Sequence, residues 1–197
     1  MGIKMAFLAT RAPAASVLAM LSARYGPIPS ATERVSAEEA NDLSEGVLLV
    51  GEWQGVCVVH DPELVLGSDE DLAVEAARAL GTTAVTLVTE SVSGTHQLLV
   101  ADQKGLRRAF FLCCEQGTGP AYLGEPLASE TDHPLNDATC GETILDLLAA
   151  EGFDVLAAFE NAPWDVHEVL EDWVPMPETS GEVALALRAE LKRVSAE

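Results

Sequence analysis

Four sets of residues in this chain carry side chains that chemistry uses. Cys57 and His60 stand three apart in VCVVH, the residue types of a thiol–imidazole pair. Asp132, His133, Asp137 and Cys140 fall within one short segment and offer the donor atoms that zinc takes. Cys113 and Cys114 are adjacent at the end of AFFLCC. Trp164, Asp165, His167, Glu168, Glu171, Asp172 and Trp173 place two indoles among carboxylates.

Spacing decides what each set can do. On a strand, residues three apart face opposite ways, so Cys57 and His60 are not expected to meet. Cys113 and Cys114 point to opposite faces for the same reason. They neither grip one metal nor form an ordinary disulfide, and they read as core cysteines. Around His133 no second histidine and no CxxC completes a tetrahedral set, so a loop leading to a helix capped by Thr139 or Asp137 is expected. Gly117-Thr-Gly119-Pro lacks the lysine and the helix of a phosphate loop, and no GxSxG elbow occurs. No catalytic, metal-binding or cofactor-binding residue is assigned.

The acidic, aromatic set differs. At helical spacing Asp165, Glu168 and Asp172 share one face, while Val166, Leu170 and Trp173 share the other. That periodicity describes an ordinary amphipathic helix with a solvated acidic side. It also describes an interface, in which aromatic anchors rimmed by carboxylates meet a basic partner. The partner-binding candidates are therefore Trp164, Asp165, Glu168, Glu171, Asp172 and Trp173.

Charge sharpens this reading. Eleven Lys and Arg stand against 32 Asp and Glu, a formal charge of −21. From Ala109 to Leu187, 79 residues, there is no Lys or Arg, and 16 are Asp or Glu. Such a field disfavours nucleic acid and anionic membrane and favours a basic protein or cations. A generally acidic proteome would produce the same composition.

The elements that must position these residues follow from periodicity and punctuation. Residues 3–9 read as a strand, and a helix with Pro13 in its first turn runs to Gly26-Pro27 with Val17, Leu18, Leu21 and Tyr25 on one face. A short helix follows, with Ser36 as N-cap and Glu39 at N3. Val47–Val50 and Val56–Val59 form a hairpin around GEWQG. Ser68-Asp-Glu-Asp71 opens a helix with Leu72, Ala76, Ala79 and Leu80 as its stripe and Gly81 as its end. Residues 82–89 are β-rich. Later helices are expected at 140–151, 166–173 and 182–194.

A second hairpin, residues 94–114, turns at Asp102-Gln-Lys-Gly105. With Ala101 opposite Leu106, Val100 would face Arg107 and Leu98 would face Ala109. One face would then carry His96, Leu98, Val100, Arg107, Ala109, Phe111 and Cys113, and the other Gln97, Leu99, Ala101, Leu106, Arg108, Phe110, Leu112 and Cys114. The expected fold is α+β: a largely antiparallel sheet of hairpin-linked strands with helices packed against it. It forms a single domain over 1–197, with a C-terminal helical acidic part from about 139. No run reaches the ~20 apolar residues of a membrane helix, and scattered cysteines suit a cytoplasmic protein with reduced thiols.

GEWQGVCVVHD, AVTLVTESVSGTHQLLVADQKGLRRAFF and YLGEPLASE together resemble a set of uncharacterised bacterial α+β proteins, some of them similar to small immunity proteins of bacterial toxin systems. The resemblance spans about residues 47–160. It implies packing roles for Trp53, a turn at Gly105 and a connector at Gly124-Glu-Pro-Leu127, with no catalytic residue. The function expected is a non-enzymatic, immunity- or inhibitor-like binding protein for a basic protein. The alternatives are a structural or oligomeric domain, or an enzyme with a site scattered around His96 and Arg107.

Overall fold

The computed structural model describes residues 4–40, 42–43, 46–116, 119–169 and 181–194. Nine strands form one sheet in which every neighbouring pair is antiparallel: β1 (Lys4–Thr10), β2 (Glu33–Val35), β3 (Val47–Trp53), β4 (Val56–His60), β5 (Ala84–Glu90), β6 (Thr95–Asp102), β7 (Gly105–Cys113), β8 (Ala121–Gly124) and β9 (Trp164–Glu168). Their order is β2-β9-β3-β4-β1-β5-β6-β7-β8. The α+β expectation holds.

Both faces of the sheet are covered, which is why its central strands read as continuous apolar runs. On the first face lie α2 (Ala37–Ala40), α5 (Gly141–Ala150) and α6 (Val155–Asn161). They pack Ile144, Leu147, Leu148, Val155 and Ala158 onto Phe7, Leu49, Leu87, Leu98 and Phe110. On the second face lie α1 (Ala14–Tyr25), α3 (Val65–Ser68), α4 (Leu72–Leu80) and α7 (Glu182–Val194). Val17, Leu21, Leu66, Leu72, Ala76 and Val183 there meet Leu8, Val59, Leu99 and Ala109.

Local signals placed several boundaries. Pro13 precedes the first turn of α1, and with no side-chain cap available there, the Ala14 N–H donates to Glu52 Oε1 at 2.9 Å. Ser36 and Glu39 form the expected reciprocal cap: the Ser36 N–H and hydroxyl both donate to Glu39 Oε2, and Glu39 N–H donates to Ser36 Oγ. Gly81 ends α4, donating its N–H to Ala77 O. The stripe of α4 is Leu72, Ala73, Ala76 and Ala77, whereas Ala79 is exposed. Ser68 does not cap α4, because its hydroxyl donates to Leu64 O within α3. Neither Thr139 nor Asp137 caps α5; Cys140 occupies that position, and Thr139 Oγ1 accepts from Asn136 N–H inside the preceding loop.

Two expectations are corrected. The β6–β7 hairpin does pair Ala101 with Leu106, but a bulge then shifts the register, so that Val100 faces Arg108 and Leu98 faces Phe110. One extra residue moves every later side chain to the opposite face. Phe110 and Leu112 thus join Leu98 and Val100 in the first-face core, while Ala109 joins Leu99 in the second. The helix expected at 166–173 is, through Glu168, strand β9 instead, lying between β3 and β2. From residue 139 onward the chain covers one face with α5 and α6 and enters the sheet as β9, while α7 packs on the other face.

Candidate functional site

Of the partner-binding residues predicted from sequence, Trp164, Asp165 and Glu168 lie on β9, whose alternation turns Trp164 and Asp165 to opposite faces of the sheet. Trp164 is fully buried in the first-face core, with its ring edge-on to Phe159 at 5.4 Å. It is a packing residue, not a surface anchor. It stands opposite Gly51, where an added Cβ would lie 3.1 Å from the indole Cε3. Asp165 is bound to Arg34 through two hydrogen bonds of 2.5 and 2.8 Å, a cross-strand pair that ties β2 to β9. Arg34 holds the Asp165 carboxyl below its ordinary pKa. Glu168 is exposed at the end of β9. Glu171, Asp172 and Trp173 lie outside the described residues. The signal for β9 was present as alternation, with Trp164 and Val166 pointing to one core. The coincident i, i+3 spacing of Asp165 and Glu168 hid it.

The other chemistry-bearing residues are held apart by the same geometry. Cys57 lies in the second-face core, where burial pushes its thiol up to about 12. His60 packs edge-on against Phe159 at 5.1 Å, and its Nδ1 bonds Ala6 O at 2.9 Å. Cys113 is buried, but Cys114 is exposed, because the strand ends between them and Cys114 opens a short 3-10 turn. Of this adjacent pair, Cys113 alone is a core cysteine. Among the described residues, no three His, Cys, Asp or Glu side chains are grouped to hold a metal ion.

His96 and Arg107 do not share a cleft. His96 is buried, bonded through Nδ1 to Thr89 Oγ1 at 2.8 Å and opposite Leu112. Arg107 lies by the turn at the other end of the hairpin, beyond a separation of four strand residues or roughly 14 Å. His167 is buried with Nδ1 bonded to Pro29 O at 2.8 Å.

What the fold does assemble is an acidic outer layer. The segment that covers the first face, from the 3-10 turn Ala128–Thr131 through α6, contains no cation. Its Asp132, Asp137, Glu142, Asp146, Asp154 and Glu160 are all exposed. Glu142 and Asp146 stand one turn apart on α5 because Ile144, Leu145, Leu147 and Leu148 occupy its inner side. On α6 the exposed Leu156 sits between Asp154 and Glu160. The layer is pinned to the sheet by Arg108, whose buried guanidinium grips Glu130. No described helix is long and apolar enough to cross a membrane. Comparison with protein-family models, with curated proteins and with solved structures gives no match.

Proposed function

We propose that this chain is a non-catalytic binding protein whose acidic helical layer engages a basic protein surface, in an immunity- or inhibitor-like role. The observation that carries the reading is the uniform sign of that layer: α5, α6 and the turn before them expose carboxylates and contribute no cation of their own. Like charges on one rigid face repel each other and cost the free protein stability, a cost that an oppositely charged partner offsets on binding. Leu156 adds an exposed apolar contact among the acids, the combination of an anchor and a charged rim that interfaces use. Complementary charge chiefly speeds association and selects the partner.

The test is affinity capture from cells that express the chain, at low and high salt, in parallel with a variant carrying Glu142→Gln, Asp146→Asn, Asp154→Asn and Glu160→Gln. A basic protein retained at low salt, released at high salt and lost by the variant is the expected result. Retention that ignores both salt and the four substitutions would overturn the reading.

A further inference from the structure

We propose a small-molecule site, beneath the edge of the acidic layer and distinct from its exposed carboxylates, that takes an oxyanion attached to an apolar body. The site is a cavity of about 320 Å³ at the end of the sheet where β1 stops and β5 begins. Thr82, Thr83, Val85, Val100, Leu148 and Phe153 form its walls, and Arg11, Arg107 and Glu151 complete it. The volume lies at the small end of the ~300–1,000 Å³ typical of ligand pockets and suits a compact metabolite.

Two features set its arginines apart. The first is the bulge, which leaves Arg107 as the extra residue between Leu106, opposite Ala101, and Arg108, opposite Val100. Arg108 turns to Glu130, while Arg107 is delivered to the cavity. Bulges commonly re-aim a side chain next to a functional site. The second is the seat of Arg11. Its Nη2 donates to Gly152 O at 3.2 Å, and its guanidinium lies 5.3 Å from the centre of the Phe153 ring. Gly152 has φ +84, and a Cβ there would come within 2.4 Å of Arg11 Nη2, so glycine both ends the turn and leaves room for the guanidinium.

Neither arginine has a carboxylate within 4.0 Å among the described residues. In a chain with 32 acids and 11 cations, two accessible guanidiniums that line one cavity, neither ion-paired with the carboxylate on its wall, are the observation that points to an anionic ligand. Glu151, on the same wall, is engaged by the Ser129 hydroxyl at 2.8 Å. Two planar forks and two threonines provide donors for a carboxylate or phosphate, and Val85, Val100, Leu148 and Phe153 provide the apolar wall. The net negative charge of the protein slows the approach of an anion. Over more than a Debye length of ~8 Å that repulsion is screened, whereas the contacts inside the cavity are not.

The experiment is calorimetric titration of the full chain with phenyl phosphate and, separately, with benzoate, at low salt and up to ~10 mM, where a millimolar Kd is measurable. Saturable one-site binding of either probe is expected, and the tighter of the two identifies the headgroup. Arg11→Gln and Arg107→Gln should each weaken it about tenfold or more, with circular dichroism showing an unchanged fold. Arg78→Gln and Arg188→Gln, which remove cations outside the cavity, should leave it within about twofold of the parent. Absence of saturation with both probes, or equal weakening by all four substitutions, would overturn the proposal.

Discussion

Arg108 and Glu130 form a two-pronged ion pair across the first face of the sheet: Nε donates to Oε1 at 2.8 Å and Nη2 to Oε2 at 2.7 Å. Their side chains are only 6% and 10% exposed. Arg108 also donates to Gly124 O and lies over the Tyr122 ring, while Glu130 accepts from Leu127 N–H. The first basic residue preceding the 79 cation-free residues is thus spent inside the protein, fastening the acidic layer to β7. Removing one partner of such a pair strands the other charge and costs about 3–5 kcal/mol. Arg108→Gln should accordingly lower stability by ~3 kcal/mol in urea unfolding. Arg108→Met with Glu130→Met should cost less than the sum of the two single changes. Additive losses would show that the two side chains are not energetically coupled.

Gly51 and Trp164 are a second dependent pair. The indole lies over the glycine of the neighbouring strand, and its Nε1 donates to Phe159 O at 3.4 Å. A methyl at position 51 would lie 3.1 Å from the indole Cε3 and 3.2 Å from the Ala162 Cβ, closer than ordinary van der Waals contact. Gly51→Ala should cost ~1–3 kcal/mol through overpacking. The thermal midpoint should fall, and a midpoint equal to the parent's would mean that the indole can move aside freely.

The thiols differ enough in environment to predict an order of reaction. Cys57 is buried, and desolvation pushes its thiol up to about 12. Cys140 is exposed before the first turn of α5, where the hydroxyl and N–H of Thr143 hold its thiol below the ordinary value. Thiolate, not thiol, is the nucleophile. Iodoacetamide at neutral pH should label Cys140 faster than Cys114, and Cys57 only after denaturation, as read by mass spectrometry of the peptides. Thr143→Val should slow the labelling of Cys140 alone.

These relationships also mark what could be read from the sequence. The Ser36–Glu39 cap, the hairpin turns and the ends of α1 and α4 were legible because they depend on neighbours in the chain, whereas the starts of α4 and α5 were not, since Ser68 and Thr139 bond within the preceding turn and loop instead. The bulge was not, because Arg107 and Arg108 are interchangeable in composition and only the packing of Val100, Phe110 and Leu112 fixes which one turns inward. β9 was hidden because five residues of W-D-V-H-E satisfy both periods, and its identity as a strand depends on pairing with β3, more than a hundred residues away. Arg11 could not be associated with Arg107 from sequence, since the cavity joining them forms only where β1, β6, β7 and the α5–α6 connection converge.

Two buried histidines make stability depend on pH in a direction that can be worked out. Burial lowers the pKa of His60, against a partial offset from Ala6 O, and burial also lowers that of His96. Their unfolded values are ~6.5. Below that pH the unfolded chain binds protons that the folded imidazoles decline, so unfolding is favoured as acid is added. Their contribution is complete above ~6.5 and is lost as pH falls through the depressed folded values. Asp61 works the opposite way, because burial raises its pKa: its contribution is full below the ordinary aspartate value of ~3.9 and is lost as pH rises through the folded one. The histidine part is isolated by comparing the parent with a His60→Gln, His96→Gln double variant in urea unfolding between pH 7 and ~5. Whatever its absolute stability, the variant should lose less than the parent over that interval. Parallel slopes would mean that the imidazoles titrate alike in the folded and unfolded chains.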